Sequence, residues 1–393
     1  MEQETPHAGG RSYRFALAMA VLVLVVALLA AGCGGDDDDD SGAPAGGASG
    51  GETDQLLAKA KEDATAATQE ITSFEPWNPG PAPAPKAGAR IGTVTCPFFI
   101  PACKRISDSL AEAGKAAGFE VTSLDGTPDP RKQRAAVQSL MTEKVDGIVL
   151  MGFDINAITD LVEKADKQGI AMVSEATPFE EGLPIAGDVN IQGGFPEAGR
   201  QLGAWVANDS QGKGKILAFS ADVNPGLVER YEGFREYLDQ FPEVEFVEEK
   251  PIVIPEADVG PPLESRARAV LQSHPKGTVD YIYAPADGWA TFIVNALQQS
   301  GRDEIKVVAF DGAEQNMEFI RNDQNQVATQ ATPWGWCGWM TIDQLSRAMH
   351  GEAFVDKGCP SKVLDKTNLP PEGELFDGDL DYTSEFQSIW DGQ

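Results

Sequence analysis

From residue 89 onward the chain alternates short apolar runs with longer amphipathic stretches. Ile91 to Thr95 has the composition of a strand, and Ile106, Leu110, Ala113 and Ala117 then fall on one face of a helix. The rhythm continues with a strand from Phe119 to Leu124, a helix from Arg131 to Lys144 and a strand from Gly147 to Met151. A helix from Ile155 to Lys167 and a strand from Ile170 to Ser174 close this series. A second series places strands at Lys215 to Phe219, Val244 to Val247, Tyr281 to Tyr283 and Lys306 to Phe310, with helices near 194 to 208, 227 to 240, 262 to 273 and 287 to 299. Continuous β-branched runs separated by helices predict parallel strands covered on both faces. Two such series of similar length predict two doubly wound lobes, with ligands at the carboxyl ends of the strands.

The first 88 residues follow other patterns. Arg11 and Arg14 precede an apolar run, Phe15 to Ala31, that closes on Leu29-Ala30-Ala31-Gly32-Cys33. A basic start, a short apolar core and small residues ending at cysteine resemble a bacterial lipoprotein signal, with Ala30 where such motifs most often carry Leu. The expectation is removal of residues 1–32, acylation of Cys33 and an exported protein anchored at the outer face of the cell membrane by lipid alone. Asp36 to Asp40, flanked by Gly and Ser, is a self-repelling extended tether spanning 33–52. Residues 53–72 are rich in Ala, Lys, Glu and Gln with Thr53 or Asp54 as cap, and predict a helix outside the main domain. Pro76 to Pro85 is a stiff connector in which Trp77 can pin the chain to the body.

Removal of 32 of the 393 residues leaves 361, more than one core usually serves. The formal charge of −30 excludes nucleic acid and anionic lipid as partners, because both are bound through clustered Lys and Arg. Beyond Cys33, the remaining four cysteines, Cys96, Cys103, Cys337 and Cys359, suit disulfides in an exported chain, and two local loops are the simplest of three pairings. Without a CxxC pair or neighbouring His, no metal site is expected.

Chemistry concentrates at the predicted strand ends. Phe98 and Phe99 follow the first strand, and two adjacent aromatics leave at least one ring facing outward. Asp154 follows the third strand, Glu175 the fourth, and Asp287, Trp289 and Asp311 lie at ends in the second series. Carboxylates there either cap the next helix or bind something; Asp154 and Asp287 suit both readings, and Asp311 between Phe310 and Gly312 is the best single ligand acceptor. Trp289, Trp334, Trp336 and Trp339 cluster within about fifty residues, and Trp stacks on sugar faces and cations. Trp339 and Met340 are expected in the core. His274 and His350 fall at helix ends and are expected in solvent, and no GxSxG, P-loop or HExxH motif gives catalysis a foothold. Neither an enzyme nor a cofactor is expected.

Pro97-Phe98-Phe99, Gly147 to Met151 with Asp154, Gly169-Ile170, Asn190-Ile-Gln-Gly-Gly194, Arg230-Tyr-Glu-Gly-Phe234, Asp287 and Val307 to Gly312 occur in an order that resembles the type I periplasmic binding proteins, specifically the ribose-binding and related sugar-binding receptors of ABC transporters. The resemblance runs from about 89 to about 355. It implies an α/β fold of two doubly wound parallel-sheet lobes joined by a three-stranded hinge, closing on a small ligand and docking as a monomer on an ABC permease. The expected boundaries are 89–189 with 333–359 for one lobe, 190–332 with 360–375 for the other and a tail at 376–393, preceded by the extension and linker at 53–88. The resemblance places ligand contacts at Phe98, Phe99, Asp154, Asp287, Phe310 and Asp311, with Thr332 and Trp334 near the second hinge crossing and Arg230 at a position where Arg is common. Glu175-Ala176-Thr177 stands where such sugar receptors carry an Asp-Arg pair, Val228 near a second ligand-binding Arg, and Ala286 in place of Asn. Fewer cationic donors and more tryptophan leave sugars and polyols first, with a cationic amine as alternative ligand. A sensor docking on a receptor kinase is the alternative partner reading, and a secreted hydrolase using Asp287 with Asp311 the remaining one.

Overall fold

The computed structural model describes residues 49–392 apart from Pro128, Phe153, Asp222, Val223, Glu256 and Ala257; the signal segment, Cys33 and most of the tether lie outside the described residues. The two βα series form two separate sheets. In the first lobe, β1 (Arg90–Thr95), β2 (Glu120–Asp125), β3 (Gly147–Met151), β4 (Ala171–Glu175) and β5 (Asp188–Val189) are all parallel in the order β2-β1-β3-β4-β5. Helices α2 (Pro101–Ala116), α3 (Pro130–Thr142) and α4 (Thr159–Lys167) connect them. This is the doubly wound order in which the first strand lies inside the sheet and its carboxyl end faces a crevice.

The second lobe opens with α5 (Gly194–Asp209), then β6 (Lys213–Ala221), α6 (Pro225–Leu238), β7 (Glu243–Phe246), β8 (Ile252–Ile254), α7 (Pro261–Ser273), β9 (Tyr281–Tyr283), α8 (Asp287–Gln299), β10 (Lys306–Asp311), α9 (Glu314–Arg321) and β11 (Gln326–Ala331). Its sheet runs β12-β11-β10-β9-β6-β7, with β8 on the far end of β6 and β12 (Lys362–Asp365) antiparallel to β11. Between β11 and β12, α10 (Trp334–Met349) returns to the first lobe and packs on α2 and β4. The chain therefore crosses between lobes near Asn190, Thr332 and Cys359. At two of these crossings Cys359 N–H donates to Asn190 O at 2.7 Å and Gln192 N–H to Cys359 O at 2.9 Å. Cys337 and Cys359 are bonded, tying α10 to the crossing, and Cys96 is bonded to Cys103.

Glycine sets the spacing of α5 and α6. A Cβ on Gly199 would collide with the Arg230 carbonyl, and one on Gly233 with the Pro196 carbonyl, so the middle of α6 lies backbone against backbone on α5.

The N-terminal helix departs from its expected place outside the main domain. It spans α1 (Ser49–Ala67) and lies against α5, because Ala60, Ala64 and Ala67 form a small-residue stripe that permits close approach; Tyr237 Oη donates to Asp63 Oδ2 at 2.6 Å. The connector is pinned as well. Phe74 stacks on Trp336 with ring centroids 5.5 Å apart, Trp77 meets the same ring edge-on at 5.6 Å, and Arg347 donates to the carbonyls of Gly80 and Pro81 at 2.6 and 2.9 Å. The segment expected only as a tail carries α11 (Tyr382–Trp390), whose Trp390 stacks on Trp339 at 5.4 Å. Trp339 and Met340 are core residues.

Candidate functional site

The carboxyl ends of β1, β3 and β4 face those of β6, β9 and β10 across the cleft, and a cavity of about 60 Å³ lies between them. The first lobe contributes the Cys96–Cys103 disulfide, Ile100, Met151 and Ala176; the second contributes Phe195, Asn224, Leu227, Arg230, Trp289 and Asp311; Trp334 comes from the crossing into α10.

Arg230 is the organising residue. Its Nη2 lies 3.0 Å from Asp311 Oδ1, its Nη1 donates to Pro285 O at 3.1 Å, and its guanidinium carbon sits 4.9 Å from the Phe195 ring centroid and 5.0 Å from that of Phe310. A planar cation held between two aromatic faces is fixed in orientation. Burial pushes the Asp311 carboxyl above its ordinary value, and Arg230 pulls against that shift. Asp311 has φ +105°, a conformation rare outside glycine, and strain of this kind concentrates at binding sites. Around this pair the unused polar capacity is mostly donor: among the described residues Arg230 Nε, Trp289 Nε1 and Trp334 Nε1 have no partner, nor has the neighbouring Thr332 hydroxyl.

Other strand-end residues point elsewhere. Asp154 is exposed and caps the short turn Ile155–Ile158, its Oδ1 accepting from Asn156 N–H at 3.0 Å. Glu175 is fully buried but faces α10, where Thr341 Oγ1 donates to Oε2 at 2.9 Å; Oε1 has no partner among the described residues, and burial pushes this carboxyl up to about 8. Asp287 turns into its own lobe, accepting from Ala313 N–H and Gln326 Nε2 at 2.8 Å each and from Thr329 Oγ1 at 3.1 Å; burial, then the nearby Asp311 charge, raise it to about 7. Phe98 is half-buried and lines none of these cavities, while Phe99 is 62% exposed and lines the cleft mouth with Val259 and Phe292. His350 is exposed as expected, whereas His274 is half-buried with Nδ1 2.9 Å from Val270 O. Among the described residues no cluster of His, Cys, Asp and Glu could hold a metal ion, and no helix is long and apolar enough to cross a membrane.

Sequence reasoning missed Phe195, Asn224, Met151 and Leu227. A readable signal existed for two of them: Phe195 follows Gly193-Gly194 at the first crossing, and Asn224 precedes Pro225 just beyond β6.

Residues 96–353 match the periplasmic binding protein domain. The chain belongs to the periplasmic binding protein family. It is 27% identical over 277 residues to the ribose import binding protein RbsB of Bacillus subtilis (strain 168), covering 67% of this chain and 82% of that one. A sugar ABC transporter structure from Yersinia enterocolitica superposes with a TM-score of 0.68 at 20% identity, covering 79% of this chain and 96% of that one. An ABC transporter solute binding protein from Agrobacterium vitis with bound allitol superposes with a TM-score of 0.64 at 20% identity over 71% and 96% of the two chains. The fold is thus that of type I sugar and polyol solute-binding proteins, and the family is one of substrate-binding proteins, not enzymes.

Proposed function

We propose that this protein is the solute receptor of an ABC import system, held at the outer membrane face by acylated Cys33, and that it closes on a neutral polyhydroxy ligand between its lobes. One observation carries the ligand reading: a small cavity with aromatic walls, whose described lining residues hold buried N–H donors without a partner among the described residues, beside a carboxylate paired with Arg230. Hydroxyl oxygens accept from such donors, and ring C–H faces suit the indole walls. A cationic amine is disfavoured, because the one carboxylate among the described residues of the cavity wall is paired with Arg230. The relatives' ribose and allitol are the same class of compound. Glu175 and Asp287 serve the fold, and Arg230, Trp289, Asp311, Thr332 and Trp334 serve the ligand.

The test is a thermal-shift panel of sugars, polyols and amines. Ligand at about 100 times its Kd stabilises by roughly 2.7 kcal/mol, which raises the melting temperature by several degrees. At least one sugar or polyol is expected to do this, with the response lost in Asp311→Ala. Silence across the carbohydrates, or a larger response to amines, overturns the reading.

A further inference from the structure

A second cavity, of about 270 Å³, adjoins the inner one and shares Ala102, Asp311 and Trp334 with it. We propose that this annex is the other half of the ligand site, and that the bound solute is a neutral glycoside of two rings and not a free monosaccharide. The proposal rests on the carbohydrate reading above and adds the size and polarity of the ligand.

Volume is the first argument. Small-molecule sites usually span roughly 300–1,000 Å³, a range the 60 Å³ inner cavity does not approach and the two compartments together just enter. The junction is the second. Thr332 Oγ1, in a residue 1% exposed, and Trp334 Nε1 have no partner among the described residues, and both residues line the annex. Trp334 lines both compartments and Thr332 the annex beside it, and two such donors suit a group that accepts hydrogen bonds, such as a glycosidic oxygen with its flanking hydroxyls.

The wall is the third. Pro101, Leu375 and Phe376 present an apolar surface, with Leu375 45% exposed. That surface is held in place: Asp377 pairs with Arg105 of α2 and accepts from Gly335 N–H at 2.9 Å, and Lys362 Nζ lies 5.1 Å from the Phe376 ring centroid. Charge excludes an anionic second group. Lys104 pairs with Asp108 and Arg105 with Asp377, so the wall offers no free cation among the described residues, and Glu314 adds negative charge at the rim. Residues 375–377 lie beyond the matched span 96–353.

Isothermal titration of the full chain in mild detergent with glucose, fructose, galactose, ribose and myo-inositol, and with sucrose, maltose, trehalose, cellobiose and melibiose, tests the proposal. At least one two-ring sugar is expected to bind about tenfold or more tighter than its component sugars. Leu375→Trp, which fills the annex, is expected to weaken that binding by about tenfold while leaving monosaccharides within about twofold. Leu375→Ala, which strips the wall, gives the same selective loss in the same direction and guards against a folding artefact. Monosaccharides binding as tightly as two-ring sugars, or both variants acting on all sugars alike or on none, overturns the annex and leaves the carbohydrate reading standing. No binding by any of the ten compounds overturns both.

Discussion

Arg230 Nη2 and Asp311 Oδ1 lie 3.0 Å apart with both side chains more than nine-tenths buried. Removing one partner of such a pair strands a charge in low dielectric and costs about 3–5 kcal/mol, whereas removing both is far milder. Arg230→Leu and Asp311→Leu should each lower stability by that amount, and the double variant by clearly less than their sum. Urea melts of the four proteins measure the coupling. Additive effects would show that the two residues do not act as a pair.

The connector between α1 and β1 crosses from the second lobe to the first, a link beside the three hinge crossings. Its hold is Phe74 against Trp336, with Phe386 edge-on at 5.3 Å. Phe74→Ala should cost about 3–5 kcal/mol, the usual loss for a buried Phe. It should also expose residues 49–89 to limited proteolysis while the lobes stay resistant. A variant that melts and is cleaved like the parent would mean that the connector is not fastened there.

Much of this architecture was legible because its strands are apolar on both faces: Gly147–Met151 and Tyr281–Tyr283 match their expected limits. Strand β11, with the sequence Gln-Val-Ala-Thr-Gln-Ala, was not. Its Gln326 and Thr329 look solvent-facing until the fold brings Asp287 to receive them, and hydrogen bonding then allows their burial. The site divides along the same line. A strand end predicts that a residue is near the cleft, but not whether its side chain turns into the cavity like Asp311 or into a lobe like Asp287 and Glu175. That choice depends on partners distant in sequence, such as Thr341 for Glu175. Segment 375–377 became a wall only once Arg105 and Gly335 held Asp377.

The two disulfides should contribute unequally. Cys337–Cys359 spans 22 residues and Cys96–Cys103 spans 7. Loop-closure entropy assigns about 3 kcal/mol to the longer loop and about 2 kcal/mol to the shorter. Replacing each pair by Ala should therefore lower the melting temperature more for 337/359, and peptide mapping of unreduced protein should recover both pairs. The reverse order of stability, or scrambled peptides, would contradict the assignment.

Stability should fall as pH rises from about 5 to about 8. Burial pushes Glu175 up to about 8, Asp287 to about 7 and Asp188 to about 6. In the unfolded chain these groups titrate near roughly 4, so through this window the folded protein holds protons that the unfolded chain has released. The folded state therefore loses stability with rising pH, and the loss levels off above the Glu175 value. Glu175 dominates the upper end, because its carboxyl is fully buried, only Thr341 among the described residues donates to it and the nearby Asp188 charge opposes ionisation. Glu175→Gln keeps the shape and cannot ionise, so it should match the parent near pH 5 and melt higher at pH 8, by about 2–4 °C for each kcal/mol relieved. Melting temperatures measured at half-unit steps decide the matter: curves for parent and variant that stay parallel from pH 5 to 8 would show that Glu175 is not held protonated by the fold.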